Sequence, residues 1–517
     1  MTEQQYVDLA AACDRLLRAP TTSLARLAIP ALHFLNEHPG SLAQYAAVLD
    51  ERTARHFANI PRAVIRAARG LLRSLGATPP DYSGLLPVDV MIVSHLLKPE
   101  QLQRDTDFYF GAMQRYFRDQ GTRALLVFID HLPAGHRGPR PRSLPADRMI
   151  LPGTVSWSTE ANIWRQCVRA VSALRRERTT AGNAADSGLA LLASGQAVAA
   201  ATVENLRMHA ALAQLCRTIN PRIVITTYEG TVAERLVWHA ARTAERPPLC
   251  VGYQHAMVLE RAHAIRRPVA AAGMPCDPDV ILTLGPVPHI ALAASPGLQA
   301  TRFIEYGSHR RAELPDLMPS EDRPRRCLVL PDASDQECAT LFEFALRCAR
   351  LTPDIEFALR PHPMVDAASL LRRHPGLHKL PGNVSLSMGT PLEQELARTR
   401  YCLYRGSSAA LYAVRAGIKP FYLARPKELA FDCLHGLSDW RETVSSPEEL
   451  IARIRLTDSF PDAAAARAAS LCNGFVSEVR PAAIQALLAL AESHRPPAHD
   501  IVRKRSAEMH SRASPAR

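Results

Sequence analysis

Short apolar strands alternating with helices, in two separate series, predict an α/β protein of two parallel-sheet halves facing a cleft, with a helical region in front. The apolar period changes from helical to strand-like near residue 87. The strands are nearly continuous apolar runs, as in sheets covered on both faces. The series stops at a linker rich in proline and charge, Leu314–Arg326, and then starts again. The chain has 517 residues, 47% hydrophobic and 22% charged, enough to bury several cores and unlike a mainly disordered chain. At roughly 150 residues per domain, about three domains are expected.

Residues 1–80 read as helices, with apolar positions at helical spacing in Tyr6–Leu17, Leu24–Leu35 and Ala63–Leu75, closed by Pro79-Pro80. The first α/β half, 85–305, has strands at Val88–Val93, Ala124–Ile129, Ile223–Thr227, Leu249–Tyr253 and Val280–Thr283. Its helices are Asp107–Gln120, Val198–Thr218 and Ala233–Thr243, with a loop at Leu132–Arg142 and a mixed segment after it. The second half, 306–460, has strands at Cys327–Leu330, Ile355–Leu359, Tyr401–Tyr404 and Pro420–Leu423. Helices Gln336–Leu351, Leu392–Thr399 and Ser408–Ala416 fall between them. Helices over 461–493 are expected to pack back on the first half. The tail from His494, with six basic and two acidic residues, is expected to be disordered.

The net charge is +12, and 57 of the 62 basic residues are arginine. A GC-rich genome explains such a bias, and so does an anionic partner. Arg62, Arg66, Arg69 and Arg73 recur at helical spacing and share one face, either a solvated one or one that meets an anionic membrane or acceptor. The N-terminus lacks a positive region followed by an apolar run, so no signal peptide is expected. No apolar stretch approaches the ~18 residues of a membrane span. Eleven scattered cysteines without a CxxC argue against a disulfide framework or zinc site and for a reducing cytoplasm.

Four constellations carry chemistry, each leaving a strand where open α/β sheets bind ligands. Arg405-Gly406-Ser407-Ser408 opens a helix. A Ser N-cap, first-turn amides and the helix dipole there would favour a phosphate, and Gly406 would let it approach. In Arg360-Pro361-His362-Pro363 the prolines hold His362 rigidly for proton donation to a leaving phosphate, with Arg360 beside it. Glu229 ends Thr226-Thr227-Tyr228-Glu229-Gly230, placed either to take a proton from an acceptor hydroxyl or to cap the next helix. Gln254 and His255 leave the following strand, with His263, Arg266 and Arg267 after them, to line an acceptor site or form a structural loop. Weaker cleft candidates are Ser94-His95, Asp130-His131, Asp332 with Ser334 and Asp335, and Ser308-His309.

The sequence has no P-loop, complete GxGxxG, GxSxG elbow or HExxH. Asp105-Thr106-Asp107 and Asp277-Pro278-Asp279 match D-x-D but read as a helix start and a turn, so no metal is expected. Taken together, the two halves, the Arg-Pro-His-Pro turn and the Gly-Ser-Ser-Ala-Ala-Leu helix start resemble GT-B glycosyltransferases, over roughly residues 87–490. The resemblance is to enzymes of bacterial capsule, O-antigen and lipopolysaccharide synthesis, including sialyltransferase-like and Kdo-transferase-like groups that use CMP-sugars. It implies two Rossmann-like domains, Glu229 as base, His362 assisting the leaving phosphate, and Ser407 and Ser408 binding it. Tyr228 stands where those groups carry a first acid.

The resemblance further implies an inverting, metal-independent transferase without a cofactor beyond its nucleotide-sugar co-substrate. Its acceptor would be a surface polysaccharide or lipid-linked glycan, and the protein would be cytoplasmic, peripheral to the inner membrane. A nucleotide-sugar epimerase and a CDP-glycerol or CDP-ribitol phosphotransferase are rivals of the same fold. A non-catalytic polyanion-binding protein is the rival of another class, although no nucleic-acid module is present.

Overall fold

The computed structural model describes residues 1–18, 23–34, 42–49, 60–75, 82, 87–132, 144–269, 274, 276–311, 322–363, 365–437, 439–456 and 462–494. The Pro79-Pro80 break, nearly all of the Leu132–Arg142 loop, most of the interdomain linker and the tail beyond His494 lie outside them.

Thirteen strands among the described residues form two sheets, and every strand pairing is parallel. The first sheet holds β1 (Val90–Leu96), β2 (Ala124–Asp130), β3 (Arg148–Ile150), β4 (Ile223–Thr227), β5 (Leu249–Tyr253), β6 (Val280–Thr283) and β7 (Arg302–Glu305), in the order β3-β2-β1-β4-β5-β6-β7. The second holds β8 (Arg326–Leu330), β9 (Glu356–Leu359), β10 (Val384–Leu386), β11 (Tyr401–Tyr404), β12 (Lys419–Leu423) and β13 (Glu442–Val444), in the order β10-β9-β8-β11-β12-β13. Both are Rossmann-like. The strand order reverses between β1 and β4 in one and between β8 and β11 in the other, opening a crevice at the carboxyl ends of those strands. Two such domains, with a C-terminal helix returned to the first, make a GT-B fold.

Both faces of the first sheet are covered, so its strands have no polar side. Met91, Val93, Leu125, Val127 and Val224 enter a core shared with the helices Trp157–Thr180, Ala184–Gln196 and Ala200–Ile219. The N-terminal helices belong to the same core: Leu9, Ala25, Ile29, Leu32 and Phe34 are fully buried there. Arg26, also buried, donates to Leu16 O at 3.2 Å and pairs with Glu177 at 2.5 Å. On the opposite face, Val90, Ile92, Leu126, Phe128 and Ile225 pack with Phe110, Phe117, Ile484 and Leu487.

The region after residue 461 is two helices with different attachments. Asp462–Asn473 packs on the second domain against Ala409–Arg415. Ala482–Ser493 buries Ile484 and Leu487 in the first domain. Between them the chain is pinned to the first domain: Val287 N donates to Gly474 O at 3.0 Å, Ser308 N donates to Ser477 O at 3.0 Å, and Arg480 pairs with Glu305 at 2.8 Å.

Other elements differ locally from expectation. The helix expected over Asp107–Gln120 begins at Met113, because the Asp107 carboxylate instead accepts from Tyr109 N, Phe110 N and the Ser94 hydroxyl. The mixed segment after residue 144 holds two helices, Trp157–Thr180 and Ala184–Gln196. No single helix among the described residues is long and apolar enough to cross a membrane.

Candidate active site

The β4 strand delivers its chemistry through a tight turn. Thr231 caps the helix Val232–Ala241, and Glu234 completes a reciprocal capping box. The fully buried Glu234 carboxylate accepts from Glu229 N at 2.8 Å, Gly230 N at 2.9 Å, Thr231 N at 3.0 Å and the Thr227 hydroxyl at 2.8 Å. Burial, followed by the charge of Glu229, pushes its acid up from the ordinary range. Gly230 has φ +81° and lies directly against Ala264, so a side chain there would be strained and would clash. Glu234 therefore does the capping, and the Glu229 side chain stays in the crevice.

Glu229 Oε1 lies 2.7 Å from His255 Nε2, which follows β5. Burial alone would raise the Glu229 acid, but His255, His95 and Arg310 outweigh it and hold the group below the usual carboxylate range. His95, in β1, has Nδ1 2.8 Å from His131 Nε2 and Nε2 3.5 Å from the Thr227 hydroxyl. Burial, and then His131, hold His95 down to about 4. Burial also lowers His131, against the opposing pull of Asp130 and Glu204. Tyr109 closes the group, its ring centroid 4.8 Å from His255 and 5.6 Å from His95. Arg310 stacks 4.0 Å over Phe108 and 5.4 Å over Tyr109. The Arg310 carbonyl accepts from the Tyr412 hydroxyl of the second domain at 3.2 Å.

Across the crevice, Gly406 has φ +72° and sits against the Asp332 carboxylate, which leaves β8. His362 is half-buried after β9; burial lowers its pKa and Asp332 opposes that shift. Arg360 donates to Thr390 O at 2.7 Å and to the Ser387 hydroxyl at 3.2 Å.

Several expected site residues have other occupations. Arg405 is buried and paired with Glu337 at 3.0 Å and with Glu428, so it braces the β11 end rather than meeting a phosphate. Ser408 is the N-cap but does not cap through its side chain. The amides of Ala410 and Leu411 close local turns onto the Ser407 and Ser408 carbonyls, which removes two of the donors expected for an anion. Gln254 is buried, its amide group spent on Ala256 O and Leu284 N. Ser308 is buried at the interdomain crossing, where its hydroxyl accepts from Arg310 N at 3.0 Å. His263 pairs with Asp14 at 3.2 Å and Arg267 with Asp277 at 2.9 Å, so that loop is structural. Tyr228 is buried and donates to Ile265 O at 2.8 Å.

No protein-family model matches the chain, and no curated protein sequence does. Solved structures are similar to it in fold. The glycosyltransferase SnogD from Streptomyces nogalater has a TM-score of 0.40 at 15% identity, over 78% of this chain and 100% of that one. A UDP-GlcNAc 2-epimerase from Neisseria meningitidis, bound to UDP-GlcNAc, has a TM-score of 0.42 at 11% identity, over 78% and 99%. The α,α-trehalose 6-phosphate synthase from Burkholderia multivorans has a TM-score of 0.39 at 11% identity, over 83% and 100%. Likeness of this size extends to no activity, substrate or site.

Tyr109 and Arg310 carried no sequence signal. Tyr109 lies in a turn before a helix, and Arg310 follows the last strand of the first domain. Glu234 carried a weak one: Thr231-x-x-Glu234 is a capping-box spacing. Among the described residues no cluster of His, Cys, Asp and Glu has the arrangement of a metal site.

Proposed function

We propose that the chain is an inverting glycosyltransferase that moves a sugar from a nucleotide-sugar to an acceptor hydroxyl in the crevice between its two domains. The observation that carries this reading is the Glu229–His255 pair at the crevice edge of the first sheet. A carboxylate held below its ordinary range is a poor proton acceptor near neutrality, so the imidazole beside it is the group proposed to take the proton. His255 Nε2 faces Glu229 Oε1 at 2.7 Å, which leaves Nδ1 as the ring nitrogen proposed to meet the acceptor hydroxyl. His255 would take the acceptor proton, and Glu229 would orient the ring and stabilise the imidazolium, the division of labour of an acid–His couple. The acceptor oxygen then forms the new bond to the anomeric carbon as the bond to the donor phosphate breaks.

On the donor side, His362 and Arg360 at the β9 end are the residues proposed to meet the departing phosphate. Tyr412, on the helix after Gly406, supports a working unit across the crevice because its hydroxyl reaches Arg310 beside the His255 cluster. The eleven cysteines are all buried and free, which fits a reducing cytoplasm.

A thermal-shift panel of CMP, CDP, UDP and GDP tests donor binding, since a ligand specific to the folded state raises Tm. Incubation with the stabilising nucleotide-sugar and a glycan acceptor panel should release nucleotide only when acceptor is present. Epimerised donor without acceptor would replace this reading by the epimerase. No stabilisation by any nucleotide would remove both.

A further inference from the structure

The helix Ile60–Leu75 has three distinct faces. Ala63, Gly70 and Ser74 are buried, with Gly70 against the Glu160–Arg207 ion pair of the first domain. At about 3.6 residues per turn, Val64, Ile65, Ala68, Leu72 and Leu75 share one arc of about 100°, and Arg62, Arg66, Arg69 and Arg73 the adjoining arc of about 60°. All of these but Arg66 are exposed. Val64, Ile65, Leu72 and Leu75 are exposed to 62%, 51%, 67% and 66%. These are four of the largest apolar exposures among the described residues, and they lie together. Arg62, Arg69 and Arg73 are exposed beside them, and Arg66 donates to Val198 O at 2.8 Å.

A solvated face would not carry four large apolar side chains in a row, and a buried one would not be lined by arginine. An apolar stripe flanked by cations suits a surface with hydrocarbon below and negative charge above. We propose that this helix docks the first domain on an anionic lipid bilayer. Val64, Ile65, Leu72 and Leu75 enter the acyl boundary and the arginines meet the lipid phosphates, as long cationic side chains do at such interfaces.

The helix packs on the domain that carries the Glu229–His255 pair. Gly70 rests on Arg207, and Glu204, one turn away on the same helix, is near enough to His131 to oppose the lowering of its pKa. Docking would bring the acceptor side of the crevice to the membrane, and that clause alone rests on the function proposed above.

Co-sedimentation of the full chain with lipid vesicles tests docking without any sugar substrate. Vesicles of phosphatidylcholine and phosphatidylglycerol should pull the protein down, and phosphatidylcholine alone should not. Each Arg→Gln change at 62, 69 or 73 should weaken binding about fivefold, from about 1 kcal/mol per cation near the surface. Leu72→Glu, at an exposed site, should abolish binding while leaving Tm and nucleotide binding unchanged. Equal binding to both vesicle types would overturn the proposal. So would undiminished binding of Leu72→Glu, or a dimer in solution that Leu72→Glu disperses while vesicles capture nothing.

Discussion

At the residue scale, Glu229 and His255 do different work, and their variants should differ accordingly. His255→Gln removes the proton acceptor and should lower kcat by about a hundredfold to ten-thousandfold. Glu229→Gln leaves the ring but not the charge that orients it, so kcat should fall while nucleotide binding, read by thermal shift, stays intact. Normal turnover in either variant would remove the pair from the mechanism. Glu229, His255 and His362 stand out in the sequence as candidates because each follows a strand, where an open sheet presents its ligands. The sequence misled on Arg405, Gln254 and Ser308 for the same reason. Leaving a strand says where a residue emerges, not what it then meets, and the partners of Arg405 are Glu337 and Glu428, from other segments of the chain.

At the element scale, the turn after β4 depends on its cap. Thr231→Ala should cost about 1 kcal/mol of stability, measured by denaturant unfolding. Gly230→Ala should cost more, because it adds a positive-φ penalty to a clash with Ala264. The helices Ala200–Ile219 and Val232–Ala241 are joined by His209 and His239, their ring nitrogens 2.9 Å apart. Burial holds His209 at about 3 and His239 at about 4. Both take up protons on unfolding at any pH between those values and about 6.5, so they oppose folding increasingly as pH falls below about 6.5. Thermal melts should show Tm dropping between pH 7 and pH 5, and His209→Gln should flatten that slope. The central strands were legible as apolar β-branched runs. The edge strands β3, β7, β10 and β13 were not: Arg-Met-Ile, Arg-Phe-Ile-Glu, Val-Ser-Leu and Glu-Thr-Val are short and half-exposed, and pairing with a neighbour rather than composition makes them strands.

At the scale of the whole molecule, the duplicated α/β pattern and its linker were enough to read two domains and a cleft. The attachment of residues 462–493 to both domains was not readable, because two amphipathic helices in sequence do not say which core each enters. Leu487 is fully buried in the first domain, and Leu487→Ala should cost about 2–5 kcal/mol. A melt that splits into two transitions in that variant would show that this helix couples the domains. The chain passes between the domains twice, once after Ser308 and once beyond Asn473, and the two passages lie side by side through the hydrogen bond from Ser308 N to Ser477 O. The described ends of the two passages are therefore held to each other as well as to the first domain. The Tyr412–Arg310 hydrogen bond lies two residues along from that crossing, so the same short stretch of chain both joins the domains and carries a side-chain contact between them.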